Sequence, residues 1–211
     1  MVRFITFEGG DGTGKSTQIR ALENYLTGRA YSCVVTREPG GTALGNLIRN
    51  MLLDVGGHEI ASSAELFLYL ADRAQHVSKV ILPAIKAGNI VLCDRFTDST
   101  VAYQGYGRGI DLSLLRQLND IADHGVRPDL TFLLDCPAQI GLARTARRQS
   151  AMGQRHEDRF EREKLEFHDK VRAGFLEIAR AEPRRFRLVD ATRSVEEVTL
   201  EIRKIIDQEM L

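Results

Sequence analysis

The stretch Gly9-Gly10-Asp11-Gly12-Thr13-Gly14-Lys15-Ser16 fits the phosphate-binding pattern G-x-x-x-x-G-K-[S/T] and lies where such a loop has to lie. A short apolar run, residues 2–7, precedes it, and an amphipathic segment follows it. A strand that leads into a glycine-rich turn and then a helix directs successive backbone N–H groups, and the positive end of the helix dipole, at phosphate oxygens. The sequence therefore predicts a nucleoside triphosphate site at residues 9–17.

The side chains of this loop have distinct expected partners. Lys15 should lie beside the β- and γ-phosphates, and the hydroxyl of Ser16, first in the helix, is the expected Mg²⁺ ligand. Thr17 is expected to bind a neighbouring phosphate. Asp11 is unusual inside an anion-binding loop, because its carboxylate repels phosphate unless it has another partner. Either Asp11 has such a partner or it serves as a structural turn-former.

The composition is that of an ordinary globular protein. With 43% hydrophobic and 27% charged residues, the 211-residue chain can form a single domain spanning residues 1–211. Lys and Arg total 29, as do Asp and Glu, so the formal net charge is zero. A neutral chain lacks the basic excess that favours polynucleotide binding. A small anionic ligand fits this charge balance better.

The cysteine pattern and the hydropathy predict the compartment. Cys33, Cys93 and Cys136 are isolated and form no C-x-x-C pair, which favours buried thiols in a reducing cytoplasm over a zinc site. No apolar run approaches the roughly 18 residues of a membrane-spanning helix, and no basic and then apolar leader precedes the first strand. We therefore expect a cytoplasmic protein without a membrane segment.

Five short runs rich in β-formers recur along the chain, with room for at least one helix between each pair. Strands of this kind, connected by helical crossovers, favour an α/β fold with a mainly parallel sheet that helices cover on both faces. Ligands of such sheets bind beyond the carboxyl ends of the strands. The runs are Val2–Phe7, Ser32–Thr36, Ile90–Asp94, Leu130–Asp135 and Phe186–Asp190.

Three other segments carry apolar residues at helical spacing. They extend from Leu44 to Leu52, from Leu114 to Ala122 and from Val195 to Ile206. We interpret all three stripes as faces that pack against the core.

A phosphate-binding loop alone does not identify the class of protein. A GTPase switch would need a guanine-reading N-K-x-D, which the sequence lacks. In a motor ATPase, the third strand would not be expected to end in Asp94-Arg95 and lead into a polar, aromatic-rich segment. That segment is typical of a second small-molecule site.

Four further motifs, in order and spacing, resemble those of the bacterial thymidylate kinase family. Together with the phosphate-binding loop and an arginine-rich region near residues 144–161, the resemblance covers essentially the whole chain. The motifs are Thr36-Arg37-Glu38-Pro39-Gly40-Gly41-Thr42, Ala71-Asp72-Arg73-Ala74-Gln75-His76, Asp94-Arg95-Phe96-Thr97-Asp98-Ser99 and Ala102-Tyr103-Gln104-Gly105.

The resemblance implies a P-loop nucleoside-monophosphate kinase fold with a five-stranded parallel sheet, helices on both faces and a mobile LID at about residues 144–160. It implies transfer of the γ-phosphoryl group of MgATP to dTMP, giving dTDP in dTTP biosynthesis, and usually a homodimer. A kinase for another nucleotide or a deoxynucleoside is the alternative. A non-catalytic nucleotide-binding switch is a further one.

The resemblance also implies roles around the phosphate of the phosphoryl acceptor. Arg95 would bind that phosphate bidentately, with Asp94 orienting it or holding metal-bound water, and Arg37 would share the phosphate. Asp11 would address the sugar hydroxyl or the phosphate network of the phosphoryl acceptor. The alternative for Asp94 and Arg95 is a simple surface ion pair.

For the base, the resemblance places Tyr69 at a stacking position and Arg73 at the O4-binding position, one helical turn apart on the same face. Thr100 and Gln104 would complete base recognition, and Tyr103 would pack against the sugar C2′ and disfavour a ribose hydroxyl. The alternative for Tyr69 is a core residue with its hydroxyl at the surface.

The loop at residues 9–16 contains no arginine, and family members of this kind supply the transition-state cation from the LID. Arg148 is the leading candidate, with Arg144, Arg147, Arg155 and Arg159 as alternatives. A solvated basic helix face is the other interpretation of these arginines. The five histidines show no metal-ligand spacing, and we assign none of them to catalysis.

Overall fold

The computed structural model describes residues 2–53, 59–151 and 159–210. Within these ranges the centre is a five-stranded, all-parallel sheet in the order β2-β3-β1-β4-β5. The predicted strands are confirmed: the last three have the predicted bounds, and the first two lie slightly further along the chain. The strands are β1 (Phe4–Glu8), β2 (Cys33–Arg37), β3 (Ile90–Asp94), β4 (Leu130–Asp135) and β5 (Phe186–Asp190).

Helices connect the strands as right-handed βαβ crossovers require. Two of them continue directly into π-helical segments, at Val77–Ile81 and Val101–Gly107. The helices are α1 (Lys15–Thr27), α2 (Ala43–Leu53), α3 (Ser62–His76), α4 (Leu82–Lys86), α5 (Thr97–Thr100), α6 (Leu112–Ala122), α7 (Ala138–Ala151), α8 (Leu165–Ala181) and α9 (Val195–Met210).

The sheet is buried on both faces, as the apolar strands predict. On one face, Phe7 and Phe132 lie 5.2 Å apart between ring centres and join a core that α1 and α9 complete. On the other face, Phe4 packs edge-on against Phe96 with the ring centres 5.0 Å apart, beneath the π-helical segment that follows α3. Successive strand residues therefore serve different cores.

The three helical stripes are only partly core-facing, and the prediction for their outer members was wrong. On each helix the inner members are buried, whereas the outer members face solvent because the stripe is wider than the neighbouring elements cover. The buried members include Ile48, Leu52, Leu115, Ala122, Val198, Ile202 and Ile206. The exposed members are Leu44, Leu47, Met51, Leu114, Ile121 and Val195.

The register of the sheet brings three loop beginnings to one edge. Phe7 of β1 pairs with Asp94 of β3, and Arg37 at the end of β2 pairs with the same Asp94. The phosphate-binding loop, Arg37 and the Asp94-Arg95 pair therefore meet at the carboxyl edge of the sheet.

Helix α7 lies directly on the phosphate-binding loop. A Cβ atom added at Gly141 would lie 2.2 Å from the carbonyl oxygen of Asp11, and one added at Gly12 would lie 2.0 Å from the carbonyl oxygen of Gly141. Only glycine at both positions permits so close an approach. The helix that carries Arg144 and Arg148 is thereby fixed against the loop.

Candidate active site

The loop between β1 and α1 has the backbone form that its glycines allow. Gly9, Gly12 and Gly14 have φ angles of 130°, 71° and 93°, in the region that side chains other than glycine rarely adopt. The buried ammonium group of Lys15 folds back over the loop and donates to the carbonyl oxygens of Gly9, at 3.0 Å, and Gly10, at 2.8 Å. The lysine ammonium group therefore lies directly against the loop.

Burial, and to a smaller extent the nearby Arg95, lower the pKa of Lys15 to about 8, against the opposing charges of Asp94 and Asp11. A bound polyphosphate would supply the negative charge that the ammonium group lacks here. The loop is therefore electrostatically suited to an anion.

Ser16 and Asp94, the two side chains predicted to hold Mg²⁺, lie next to each other beside the loop. The Ser16 hydroxyl donates to Asp94 Oδ2 at 2.9 Å. In residues 2–53, 59–151 and 159–210, no group of three or more His, Cys, Asp or Glu side chains is arranged to hold a metal ion. These two oxygen donors suit Mg²⁺, which is commonly held by one or two protein ligands together with phosphate and water oxygens.

Asp11 has a partner, so the turn-former interpretation of this residue is insufficient. Arg95 Nη2 donates to Asp11 Oδ1 at 2.8 Å, and the Tyr103 hydroxyl donates to Asp11 Oδ2 at 3.1 Å. Burial raises the pKa of Asp11, but the charges of Arg95 and Lys15 outweigh it and hold that pKa below its usual value. The carboxylate is ionised and its charge is balanced.

Arg95 is not the surface partner of Asp94, the alternative considered from the sequence. It pairs with Asp11 instead, and its Nη1 donates to the carbonyl oxygen of Gly9 at 3.0 Å and to Ser99 Oγ at 3.1 Å. Its φ angle of 69° is left-handed, a conformation that costs a residue other than glycine about 1–3 kcal/mol. The surrounding hydrogen bonds hold this strained backbone in place.

A cavity of about 90 Å³ adjoins this pair. It is formed where α3 faces α5 and the following π-helical segment, and the predicted base-binding residues all line it: Tyr69, Arg73, Thr100, Tyr103 and Gln104. Tyr69 is half-buried and faces Phe160 with the ring centres 6.4 Å apart. It packs against the core cluster that contains Phe160 and also forms a wall of the cavity.

Arg73 is fixed almost completely by its buried partners. Its Nε donates to Glu38 Oε2 at 2.9 Å, and its Nη1 donates to Asn119 Oδ1 at 2.7 Å and to Thr100 Oγ1 at 3.0 Å. Among the described residues, nothing accepts a hydrogen bond from Arg73 Nη2. One end of a rigid guanidinium group is therefore left for a ligand in the cavity.

A larger cavity, of about 550 Å³, lies over the phosphate-binding loop. It is lined by Lys15, Ser16, Thr17 and Asp94, the residues assigned from the sequence to the triphosphate and the metal. Arg37, predicted for the phosphate of the phosphoryl acceptor, lines this larger cavity and not the smaller one. Asp11, Arg95, Glu38 and Arg49 line both, so the two cavities meet at these side chains.

The arginines near α7 are not equivalent. Arg148 is exposed and lines the larger cavity. Arg144 donates through Nη1 to the carbonyl oxygen of Ala191 at 2.6 Å, and Arg159 is paired with Glu65. Of the predicted candidates, Arg148 is thus the one placed over the loop, whereas Arg155, like the central part of the predicted LID, lies outside the described residues.

Comparison with known proteins decides the family. The family model for thymidylate kinase matches residues 7–202. The chain belongs to the thymidylate kinase family. It is 54% identical to the thymidylate kinase of Desulfovibrio desulfuricans over 205 residues, which cover 97% of this chain and 94% of that protein. It is 55% identical to the thymidylate kinase of Pelobacter propionicus over 197 residues, 93% of this chain and 90% of that one.

A solved structure agrees with this assignment. The crystal structure of thymidylate kinase from Ehrlichia chaffeensis superposes with a TM-score of 0.77 at 38% sequence identity and covers 97% of this chain and 98% of its own. The predicted nucleoside-monophosphate kinase fold is confirmed. In the described part of the chain, no helix is both long enough and apolar enough to cross a membrane.

Several functional side chains were missed by sequence reasoning, and half of them are buried carboxylates. Glu8 accepts from the backbone N–H of Phe96 at 2.7 Å and from Ser99 Oγ at 2.6 Å, so it holds the turn that carries Arg95. Burial and the neighbouring Asp98 raise the pKa of Glu8 to about 8.

Glu38 and Glu65 were also missed. Glu38 bridges Arg73 and His76, whose Nδ1 lies 2.9 Å from Glu38 Oε1. Glu65 lies four residues before Tyr69 and eight before Arg73, on the same face of α3. An acidic residue at that spacing, in a largely apolar helix, was a usable signal. Asn119, Arg49 and Phe160 gave none.

The lowered pKa of Lys15 predicts how ATP affinity depends on pH. ATP needs the charged ammonium group, which the free protein increasingly loses above its pKa of about 8. Binding then takes up a proton, and the dissociation constant for ATP should rise by roughly tenfold between about pH 8 and about pH 9.5. Isothermal titration calorimetry in buffers of different ionisation enthalpy measures both the affinity and the proton uptake.

The control for this titration is Lys15→Arg, since arginine stays charged throughout the range. Its ATP affinity should be flatter over the same pH interval. If the dissociation constant for ATP still rises with pH in this variant, the titrating group is Glu8. A wild-type affinity that does not change with pH would contradict the prediction.

Proposed function

We propose that this protein transfers the γ-phosphoryl group of ATP to dTMP, giving dTDP and ADP in dTTP biosynthesis. The observation that carries the proposal is the junction of two cavities at Asp11 and Arg95. One cavity lies over a phosphate-binding loop, and the other is lined by groups complementary to thymine.

The larger cavity would hold the donor. The loop from Gly9 to Thr17 binds the triphosphate through its backbone N–H groups, and Lys15 lies at the β- and γ-phosphates. Ser16 and Asp94 would hold Mg²⁺, directly or through water. When bound, the metal neutralises charge on the β- and γ-phosphates.

The smaller cavity would hold the phosphoryl acceptor. The free Nη2 of Arg73 donates to thymine O4, and Gln104 and Thr100 recognise the rest of the base edge. Tyr69 and Phe160 enclose the base, and these rings lie 6.4 Å apart between centres.

The sugar and phosphate of dTMP would then extend towards the junction. Tyr103 packs against C2′, where a ribose hydroxyl would find no room, while Asp11 addresses the sugar hydroxyl. Arg95 binds the phosphate, and Arg37 reaches it from the side of the larger cavity.

Phosphoryl transfer of this kind needs alignment and charge neutralisation and no covalent nucleophile. Lys15 and Arg95 supply positive charge from opposite sides of the transferring group. Arg148 supplies it from α7, which the contact between Gly12 and Gly141 fixes on the loop. We assign residues 144–160 to a LID within a single domain spanning residues 1–211.

The function is tested by the choice of phosphoryl acceptor. A coupled ADP-release assay with ATP and Mg²⁺ should give the highest kcat/KM with dTMP among dTMP, dUMP, dCMP, dGMP and AMP. Lys15→Ala, which should fold but lose most turnover, controls for contaminating kinases. A different nucleotide as the best substrate would favour another nucleotide kinase, and ATP binding without ADP release would favour a switch.

Substitution of Arg95 should impair the use of dTMP much more than the use of ATP. We choose Arg95→Asn, because asparagine tolerates the left-handed backbone of this position better than alanine does. Loss of a charge-assisted contact should raise the KM for dTMP by about tenfold or more and change the KM for ATP by less than about twofold. Steady-state kinetics with each substrate varied in turn measure both constants. Unchanged dTMP kinetics would remove Arg95 from the site of the phosphoryl acceptor.

We also propose that the protein is a cytoplasmic homodimer. The three cysteines, all within the described residues, are free thiols, as a reducing compartment permits. The dimer face would be the apolar patch formed by the exposed Leu44, Leu47 and Met51 of α2, Phe67 of α3, and Leu114 and Ile121 of α6. Helix α3 packs against both α2 and α6, so these side chains belong to one layer of three helices.

A charge within this patch should separate the subunits. Leu47 is 61% exposed, so Leu47→Glu removes little packing within one chain but places a carboxylate in the proposed interface. Sedimentation velocity should show a dimer for the wild type and a monomer for Leu47→Glu. Leu200→Glu is the matched control, because Leu200 is 63% exposed on α9, away from the patch. A monomeric wild type, or a dimeric Leu47→Glu, would contradict the proposed interface.

A further inference from the structure

We infer that Glu65 is a positioning residue that fixes the side-chain amide of Gln104 and thereby sets the preference for thymine over cytosine. The inference rests on the proposed function, since it concerns how the base of the phosphoryl acceptor is read. Glu65 is fully buried in α3 and lies behind the smaller cavity, whose wall includes Gln104.

The orientation of the Gln104 amide follows from the chemistry of its partner. Gln104 Nε2 donates to Glu65 Oε1 at 2.8 Å. An ionised carboxylate only accepts hydrogen bonds, so the end of the amide that faces Glu65 has to be the NH₂ group. The reverse orientation would place two acceptor oxygens against each other in a buried site, where neither has a donor.

Two arginines pair with the carboxylate of Glu65. Arg108 Nη2 lies 3.4 Å from Glu65 Oε2, and the guanidinium group of Arg159 pairs with the same oxygen. Glu65 Oε2 accepts from both arginines, whereas Oε1 accepts from the Gln104 amide at 2.8 Å and from Arg108 Nε at 3.5 Å. Glu65 acts on Gln104 as a fixed acceptor.

The consequence lies on the cavity side of the amide. With Nε2 engaged, Gln104 presents Oε1, and among the described residues no group donates a hydrogen bond to that atom. Thymine carries an N3–H donor, whereas N3 of cytosine is an acceptor. A fixed carbonyl oxygen thus accepts from thymine and repels cytosine.

Arg73 discriminates between thymine and cytosine in the same sense, at the neighbouring position of the base. Its guanidinium group is held by Glu38 and offers a donor, which suits the O4 of thymine and opposes the exocyclic amino group of cytosine. The neighbouring position is thus fixed by a buried carboxylate as well. Glu65 and Glu38 together impose one pattern, acceptor next to donor, on the cavity wall.

The experiment compares kcat/KM for dTMP and dCMP in the full-length protein. Glu65→Gln preserves the shape of the side chain but can donate to Gln104 Oε1, so the Gln104 amide can turn its NH₂ group towards the base. The ratio of kcat/KM for dTMP over dCMP should fall about tenfold, mainly through KM for dTMP, as loss of one oriented hydrogen bond predicts.

Two further variants distinguish positioning from a structural effect. In a Gln104→Ala background, Glu65→Gln should change the ratio by less than about twofold, because the residue through which Glu65 acts is gone. Glu163→Gln is the matched control: Glu163 pairs with Arg108 but does not contact Gln104, so its loss should leave the ratio unchanged. If Glu65→Gln does not fold, Glu65→Asp retains the charge, withdraws it from Gln104 and should lower the same ratio.

The outcomes separate the inference from the function on which it rests. A wild-type protein without preference for dTMP would overturn the proposed function and the inference with it. A wild-type preference that both Glu65 variants leave within about twofold would overturn the inference alone. So would a Glu65→Gln effect of equal size in the Gln104→Ala background, since that would show a general distortion of the cavity.

Discussion

The ion pair between Asp11 and Arg95 is the interaction on which the rest of the site depends. A carboxylate inside a phosphate-binding loop would repel the ligand, and a half-buried arginine without a partner would be costly. The contact of 2.8 Å between Asp11 and Arg95 balances the charge of both side chains, and the Tyr103 hydroxyl donates a second hydrogen bond to the carboxylate. Because Asp11 belongs to the loop and Arg95 to the end of β3, the pair also joins the two cavities. Its position fixes where two nucleotides can face each other.

Buried carboxylates perform the same task elsewhere around the site. Glu8 holds the turn before α5, Glu38 holds Arg73, and Glu65 holds Gln104. Replacement of a buried ion pair by apolar side chains of similar volume is often neutral or stabilising, so such groups contribute little to the stability of the fold. What they contribute is orientation: Glu8 fixes the turn that carries Arg95, and Glu38 and Glu65 each leave one specified donor or acceptor of their partner to a ligand. The raised pKa of Glu8, about 8, shows how unfavourable its ionised form is in this position. The network is therefore explained by recognition and not by stability.

The sequence predicted the sheet well because continuous apolar strands leave few alternatives. Tyr69 and Arg73 could be paired because a helical turn separates them, and Asp94 and Arg95 because they end a strand. Glu65 and Asn119 could not be recognised in this way, since a polar residue on a helix is normally exposed and only the tertiary contacts show that these two are buried. The prediction that Leu47 and Met51 face the core was wrong for the opposite reason. Periodicity gives the width of an apolar stripe but not the area that neighbouring elements cover. Arg37 was assigned to the correct edge of the sheet, but its cavity depends on side-chain direction.

The two described segments that flank residues 152–158 are anchored to different cavities. On one side, Gly141 of α7 meets the backbone of the phosphate-binding loop, and Arg148 lines the larger cavity. On the other side, Arg159 is paired with Glu65, and Phe160 forms a wall of the smaller cavity. The guanidinium group of Arg159 also lies 4.7 Å from the centre of the Phe160 ring, which holds that ring against the cavity. Glu65 consequently contributes to the base site in two ways: it orients the Gln104 amide, which selects the base, and through Arg159 it supports the aromatic wall, which would enclose thymine and cytosine alike. A single buried carboxylate thus connects base recognition with the chain segment at Arg159 and Phe160, which follows the helix that lies on the phosphate-binding loop.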